Sequence, residues 1–334
     1  MTQSLGLVNY LKKRFSIQDE TLQIRPRIKI ANYFLCKLLN KNNRSVDLFF
    51  RIFYEFDTSQ VQSFKPDLII SAGGNTCGIN ALLAKRYNCK NLYFGSLRGH
   101  QPQLFSGVIT TIIMHDVDNS IILDVVPTLI DTEKLKEAAN SFIKTHNDIF
   151  ADTTKNLWVM LIGGEGSGYN YSKENYKNLI TGMVVLAKKY EVRWLVTTSR
   201  RTGVENEKYL QSLLQGKKEI AYAVYFNEKP EKIMQAYLGS GEIIFCTEDS
   251  TSMVSEAIIS KKPVITLRGL TRNINKGHKA VIARFAKNRH IGRIKIDELQ
   301  GFSPDSIEFK AVDVEEGYDK IVKIINDFIY VKKP

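Results

Sequence analysis

No apolar run in this 334-residue chain approaches the ~18 residues a helix needs to cross a bilayer. The longest, Val108–Met114 and Ile121–Ile130, are strand-sized or broken by Asp124 and Pro127. A membrane-spanning helix is therefore excluded. The start, MTQSLGLVNYLKKRF, lacks the basic head, apolar stretch and small-residue cleavage site of a signal peptide. Cys36, Cys77, Cys89 and Cys246 form no C-x-x-C pair, so neither a zinc site nor a disulfide framework is indicated. A reducing cytoplasm is the expected compartment. With 8 Pro and 21 Gly and no low-complexity tract, the composition is that of a folded globular protein.

Acidic residues are missing from particular places. Between Glu256 and Asp297 there are eleven Lys/Arg and no Asp or Glu, and residues 1–44 hold nine Lys/Arg against two acids. The whole chain carries +12, so the remainder is slightly acidic. Two basic blocks imply an anionic partner: nucleic acid, an anionic membrane face, or a phosphorylated small molecule. The later block, Ala257–Ile296, offers only Phe285 for base stacking, which sets nucleic acid aside as a partner. The early block mixes Tyr10, Phe15, Tyr33 and Phe34 with its charges. That pattern fits a helix on an anionic surface or one packed on a core.

The length suggests two domains, and the pattern starts twice. Asp67-Leu-Ile-Ile-Ser-Ala-Gly-Gly74 reads as a buried strand ending in glycines, followed by a helix over Asn75–Tyr87. Leu157-Trp-Val-Met-Leu-Ile-Gly-Gly164 repeats the arrangement, followed by a helix over Glu174–Tyr190. Further strands are expected at Asn91–Gly95, Gly107–His115, Arg193–Thr198, Glu242–Cys246 and Pro263–Leu267. Helices are expected at Thr132–Asn147, Glu231–Leu238, Thr251–Ser260 and Val314–Ile329. Alternation of this kind means parallel sheets covered by helices. The reading is an α/β chain of two Rossmann-like domains facing a cleft, with a closing C-terminal helix. The boundaries expected are 1–150, 151–312 and 313–334, with Asp148–Asn156 as linker.

Parallel sheets bind ligands beyond the C-terminal ends of their strands, and the chemistry-bearing segments fall there. Gly163-Gly-Glu-Gly-Ser-Gly168 lets backbone N–H groups approach a phosphate. It is neither a P-loop nor a G-x-G-x-x-G, and no ribose-binding acid ends the next strand. A plain tight turn would read the same way. Thr197-Thr-Ser-Arg-Arg-Thr202 offers two guanidinium forks for oxyanions, or a pair of surface arginines. Thr247-Glu-Asp-Ser-Thr-Ser-Met-Val-Ser-Glu256 crowds hydroxyls and carboxylates at a helix start. Capping by Asp249 or Ser250 explains part of it, while Glu256, an acceptor-only anion, suits both hydroxyls of a ribose. In the first domain, Gly73-Gly-Asn75 opens a helix, Arg98-Gly-His100 follows a strand, and His115-Asp116 ends one. His146, His278 and His290 sit among polar or basic neighbours and read as surface residues. No His/Cys/carboxylate cluster has metal spacing.

Together these segments resemble the family of the plant mitochondrial-fission factor named for elongated mitochondria, with its bacterial relatives. The resemblance runs through Thr2-Gln-Ser-Leu-Gly-Leu, Pro66-Asp-Leu-Ile-Ile-Ser-Ala-Gly-Gly, His115-Asp116, Leu161-Ile-Gly-Gly, Thr197-Thr-Ser-Arg-Arg-Thr and Asp249-Ser-Thr-Ser-Met-Val-Ser-Glu-Ala257, before Lys262-Pro-Val. It implies a fold similar to the two-Rossmann-domain glycosyltransferases called GT-B. Bacterial members are associated with assembling lipopolysaccharide or other surface glycans, and eukaryotic members with recruiting fission machinery to mitochondria. In this chain the first strand usual in the family is expected to be missing, and the family's proline near His115-Asp116 is absent.

The resulting expectation is a metal-independent glycosyltransferase that needs no cofactor beyond its nucleotide-sugar donor. Gly163, Gly164, Ser167, Ser199, Arg200, Arg201, Thr202, Asp249, Ser250, Ser252, Ser255 and Glu256 would bind that donor. Gly73, Gly74, Asn75 and Arg98 would take a glycolipid or saccharide acceptor, and Asp116 or His115 would act as the base. The protein would be cytoplasmic, peripheral on the inner face of the cytoplasmic membrane. The alternatives are a nucleotide-sugar epimerase of the same fold and a non-catalytic adaptor on an anionic membrane surface. A dehydrogenase ranks lower for want of the ribose acid.

Overall fold

Along Lys90–Phe94, Leu92 and Phe94 pack into one apolar layer and Tyr93 into another. That alternation belongs to a strand covered on both faces. The computed structural model describes residues 2–28, 30–41, 46–56, 65–112, 118–150 and 156–331. They form two compact units: Met1–Leu129 with Val314–Pro334, and Ile130–Asp313.

The first unit opens with α1 (Thr2–Lys12). An antiparallel pair, β1 (Ile24–Pro26) and β2 (Tyr54–Phe56), brackets α2 (Ala31–Asn40) and α3 (Val46–Phe53). A parallel sheet follows in the order β3 (Leu68–Ala72), β4 (Lys90–Phe94), β5 (Gly107–Thr110), β6 (Ser120–Ile122), with α4 (Cys77–Tyr87) joining β3 to β4. On one face Leu35, Leu39 and Phe50 meet Tyr93 and Val108. On the other, Leu7 and Leu11 meet Leu92, Phe94 and Ile109, together with Tyr318, Ile321 and Ile325 of the closing helix Glu315–Val331. The Tyr10 ring stacks on Tyr318 at 3.9 Å, and both Tyr10 and Arg14 donate to Glu315.

The second unit begins with α5 (Leu135–Thr145) and α6 (Asn147–Phe150). Its sheet takes β7 (Leu157–Leu161), β9 (Arg193–Thr197), β10 (Ile220–Val224), β11 (Ile244–Thr247), β12 (Val264–Arg268) and β14 (Gly292–Lys295). Two short strands, β8 (Tyr169–Asn170) and β13 (Leu270–Thr271), pair antiparallel outside it. The order β10-β9-β7-β11-β12-β14 is parallel throughout. This is the doubly wound 3-2-1-4-5-6 arrangement of a Rossmann fold, whose direction of winding reverses between the first and fourth strands. The helices are α7 (Lys173–Tyr190), α8 (Val204–Leu214), α9 (Met234–Ser240), α10 (Thr251–Ile259) and α11 (Lys276–Lys287). Ser172 starts α7 with a capping box closed by Asn175. Leu179, Met183 and Leu186 of α7 then cover Trp158, Met160 and the fully buried Trp194.

The α/β class and the two Rossmann-like domains are as expected; the boundary between them is not where the sequence put it. Residues 130–150 belong to the second unit, because Leu135, Ala139 and Phe142 are buried and the Phe142 ring packs on Tyr222 and Tyr237. Of the expected linker, residues 148–150 end α6, with Phe150 buried against Phe142, and Asn156, the other described residue, is exposed. His278 and His290, read as surface residues, are 8% and 5% exposed. Each bonds a carbonyl, Glu248 and Lys310 respectively, and that lets the rings sit inside.

Candidate functional site

The winding of the second unit reverses between β7 and β11, so the segments just past them flank the crevice where such folds take ligands. Thr247 ends β11, and its hydroxyl links the two strands. It accepts from the Gly163 N–H at 2.7 Å and donates to Asp249 Oδ1 at 2.7 Å. The end of β9 joins the same cluster. The Thr202 hydroxyl donates to the Gly163 carbonyl at 2.6 Å and reaches that of Ile162 at 3.2 Å. Arg201 crosses over to donate to the Asp249 carbonyl at 3.0 Å, with the Asp249 carboxylate 3.7 Å away.

Glycine is required here by close approach. A Cβ on Gly163 would lie 2.1 Å from Asp249 Oδ1, and one on Gly164 would lie 2.0 Å from the Arg201 carbonyl oxygen. The turn then bends through Ser167 (φ 55°) and Gly168 (φ 92°). It is pinned by Arg272 and Asn275 N–H groups donating to the Gly168 and Ser167 carbonyls. The glycines therefore lead into a short hairpin rather than straight into α7. The helix N-terminus that does open at the crevice is that of α10, directly after β11.

The donor-side residues named from sequence are all in this unit, in different roles. Ser199 caps the turn Arg200–Thr202 and Ser250 caps α10. Thr202, Asp249 and Ser255 are at most 1% exposed; the first two tie segments together, and Ser255 is buried within α10. Arg200 is exposed, and among the described residues it has no hydrogen bond or ion pair. Ser252 and Glu256 stand one turn apart on α10, both part-exposed. The Glu256 carboxyl has no hydrogen-bond or charged partner among the described residues, and burial raises it from the usual 4.5 to about 7. Burial also raises Asp249, against the Thr247 hydroxyl, the Gly164 N–H and Arg201, which favour its anion. Its Oδ2 is buried without a hydrogen bond.

Sequence reading missed the support beneath this cluster. Glu248 is fully buried and takes four donors. Arg293 Nε and Nη2 approach at 2.7 and 2.9 Å, Thr266 at 2.7 Å and Tyr169 at 3.0 Å. The His278 Nε2–H donates to the Glu248 carbonyl at 2.7 Å. A bidentate guanidinium with two hydroxyls satisfies the carboxylate completely, so Glu248 fixes the β11–α10 turn to β12 and β14. The residue stood in plain view in Thr247-Glu-Asp249, but nothing local distinguishes it from its neighbour.

In the first unit, Gly73, Gly74, Asn75 and Arg98 gather at the carboxyl ends of β3 and β4. Gly73 has φ 93° and its N–H donates to the Phe94 carbonyl at 3.0 Å. The Arg98 side chain lies on Gly74, where a Cβ would meet its Nε at 1.9 Å. Asn75 and Arg98 are exposed. His115 and Asp116 lie outside the described residues. Among the described residues, no group of three His, Cys, Asp or Glu is placed to hold a metal ion. Among them, too, no helix is long and apolar enough to cross a membrane.

The family model described as mitochondrial fission ELM1 matches residues 1–298. This chain belongs to that family. No curated protein matches the ELM1-family chain by sequence. Among solved structures, it is similar to the UDP-GlcNAc 2-epimerase of Neisseria meningitidis bound to UDP-GlcNAc. Identity is 13% and the TM-score 0.53, over 97% of this chain and 90% of that one. It is similar to the same enzyme of Methanocaldococcus jannaschii at 14% identity and TM-score 0.53, over 80% and 79%. A glycosyltransferase from Rickettsia africae matches at 9% identity and TM-score 0.48, over 98% and 94%. At such identities the likeness to the two epimerases is one of fold, two Rossmann-like domains, and function has to be argued from the site.

Proposed function

We propose that this ELM1-family chain is a glycosyltransferase that takes a sugar from a nucleotide-sugar donor held in its second unit. The observation that carries the reading is Glu256: a largely buried carboxyl with no hydrogen-bond or charged partner among the described residues, one turn along α10 from Ser252, at the reversal point of a Rossmann sheet. Two vicinal ribose hydroxyls match its unused lone pairs. The first turn of α10 and the Arg200–Arg201 pair present positive charge to a diphosphate.

The chemistry follows from where charge develops. As the bond from the sugar to the diphosphate breaks, the leaving group gains negative charge, and a fixed helix end with guanidinium groups stabilises it without reorganising. The acceptor hydroxyl attacks the anomeric carbon and gives its proton to a base, for which Asp116 or His115 is proposed. Gly74, Asn75 and Arg98 would hold the acceptor. Its identity as a lipopolysaccharide-core or other surface saccharide comes from the family resemblance alone.

The test is incubation with nucleotide sugars, with and without saccharide acceptors. Transfer predicts free nucleoside diphosphate and glycosylated product that depend on the acceptor. An epimerised sugar nucleotide formed with no acceptor present would replace this reading with that of an epimerase.

A further inference from the structure

Large apolar side chains exposed to solvent are unevenly distributed in this protein. Of the eleven among the described residues, Leu129, Val185, Val204, Phe226 and Leu270 stand far apart in the sequence, as is normal for a soluble surface. The other six, Ile28, Ile30, Tyr33, Phe34, Leu48 and Ile52, come from one short stretch at 45–63% exposure. They belong to the β1-α2-α3-β2 segment. Its two helices bury Ala31, Leu35, Leu39, Val46 and Phe50 on a common core, so the opposite stripes of both helices face away from it. A concentration of this kind marks an interaction surface.

Charge decides what that surface meets. Lys37 and Lys41 share the outer stripe of α2 with Tyr33, and Lys37 Nζ sits 4.5 Å from the Tyr33 ring centroid. Arg51 lies on α3 between Leu48 and Ile52, with Arg25 and Arg27 exposed just before α2. We propose that the outer face of α2 and α3 docks the protein onto an anionic lipid surface, the apolar side chains entering the headgroup boundary and the cations meeting lipid phosphates. Interleaved aliphatic and basic side chains on one helical face are what such an interface takes up. A second copy would set like charge against like. Single-stranded nucleic acid wants stacking rings, and four of these six side chains are aliphatic. The inference stands apart from the transfer reading, since lipid binding is measured without turnover.

The test is co-sedimentation of the full chain with vesicles of phosphatidylcholine alone, or of phosphatidylcholine with phosphatidylglycerol. The protein is expected to sediment with the anionic vesicles only. Leu48→Gln/Ile52→Gln and Lys37→Glu/Lys41→Glu should each lower partitioning about tenfold. All four side chains are exposed, and an unchanged melting temperature confirms that each variant folds. Failure of the wild-type chain to bind anionic vesicles would overturn the proposal, as would equal binding by the folded Leu48→Gln/Ile52→Gln variant. A patch substitution that instead converts a dimer to a monomer would give the surface to a second copy.

Discussion

The Thr202 hydroxyl donates to the Gly163 carbonyl across 2.6 Å, tying the turn after β9 to the turn after β7. Thr202 is 1% exposed, so this bond is made out of water and neither partner has solvent to replace it. Thr202→Val keeps the shape but removes the donor. It should cost about 1–3 kcal/mol and loosen the glycine turn, lowering the melting temperature and nucleotide affinity together. Thr202→Ser, which keeps the hydroxyl, should retain most of both.

Arg293 and Glu248 form the support under the same crevice. Removing Arg293 leaves a fully buried carboxylate with only Tyr169 and Thr266 as side-chain donors. Arg293→Met should destabilise by about 3–5 kcal/mol, a melting shift of roughly 10 °C for a unit of this size. Adding Glu248→Gln to that variant removes the stranded charge and should restore part of the loss. Calorimetric melting of the single and double variants checks this.

Glu256 gives the site a pH dependence with a definite sign. In the unfolded chain it titrates near 4.5, and in the folded one near 7. Below the unfolded value both states are protonated, so Glu256 adds no penalty. Between the two values only the unfolded state ionises, and stability falls as pH rises, by on the order of 3 kcal/mol in total. Glu256→Gln should therefore stabilise the ligand-free protein at pH 8 and leave it unchanged at pH 4. Ribose hydroxyls favour the anion, so wild-type nucleotide affinity should rise from pH 6 to 8 while that of Glu256→Gln stays flat.

What could be read from sequence was whatever is locally encoded. The all-buried run Leu157–Leu161 and its glycines marked the central strand, and the hydroxyl cluster from Ser250 marked the start of α10. Periodicity placed α5, α7 and the closing helix within a few residues of their observed ends. The rest depends on distant partners. Arg293 is a strand residue whose purpose appears only when β14 lies two strands from β11. The closing helix packs on α1 and so returns to the first unit, a choice made by Leu7, Leu11 and Ile321 together. His278 looked solvated beside Lys276 and Lys279, yet the helix turns it inward to the Glu248 carbonyl. Residues 1–44 left open whether their aromatics face a core or a surface. The fold does both, with Tyr10 and Phe15 packed against a core and Tyr33 and Phe34 outside.

Calorimetric titration with a panel of nucleoside diphosphates tests the central claim most directly. The account predicts that one of them binds the wild-type chain, and that Arg201→Ala and Glu256→Ala each weaken it about tenfold or more while the protein stays folded. Unchanged affinity in both folded variants would contradict it.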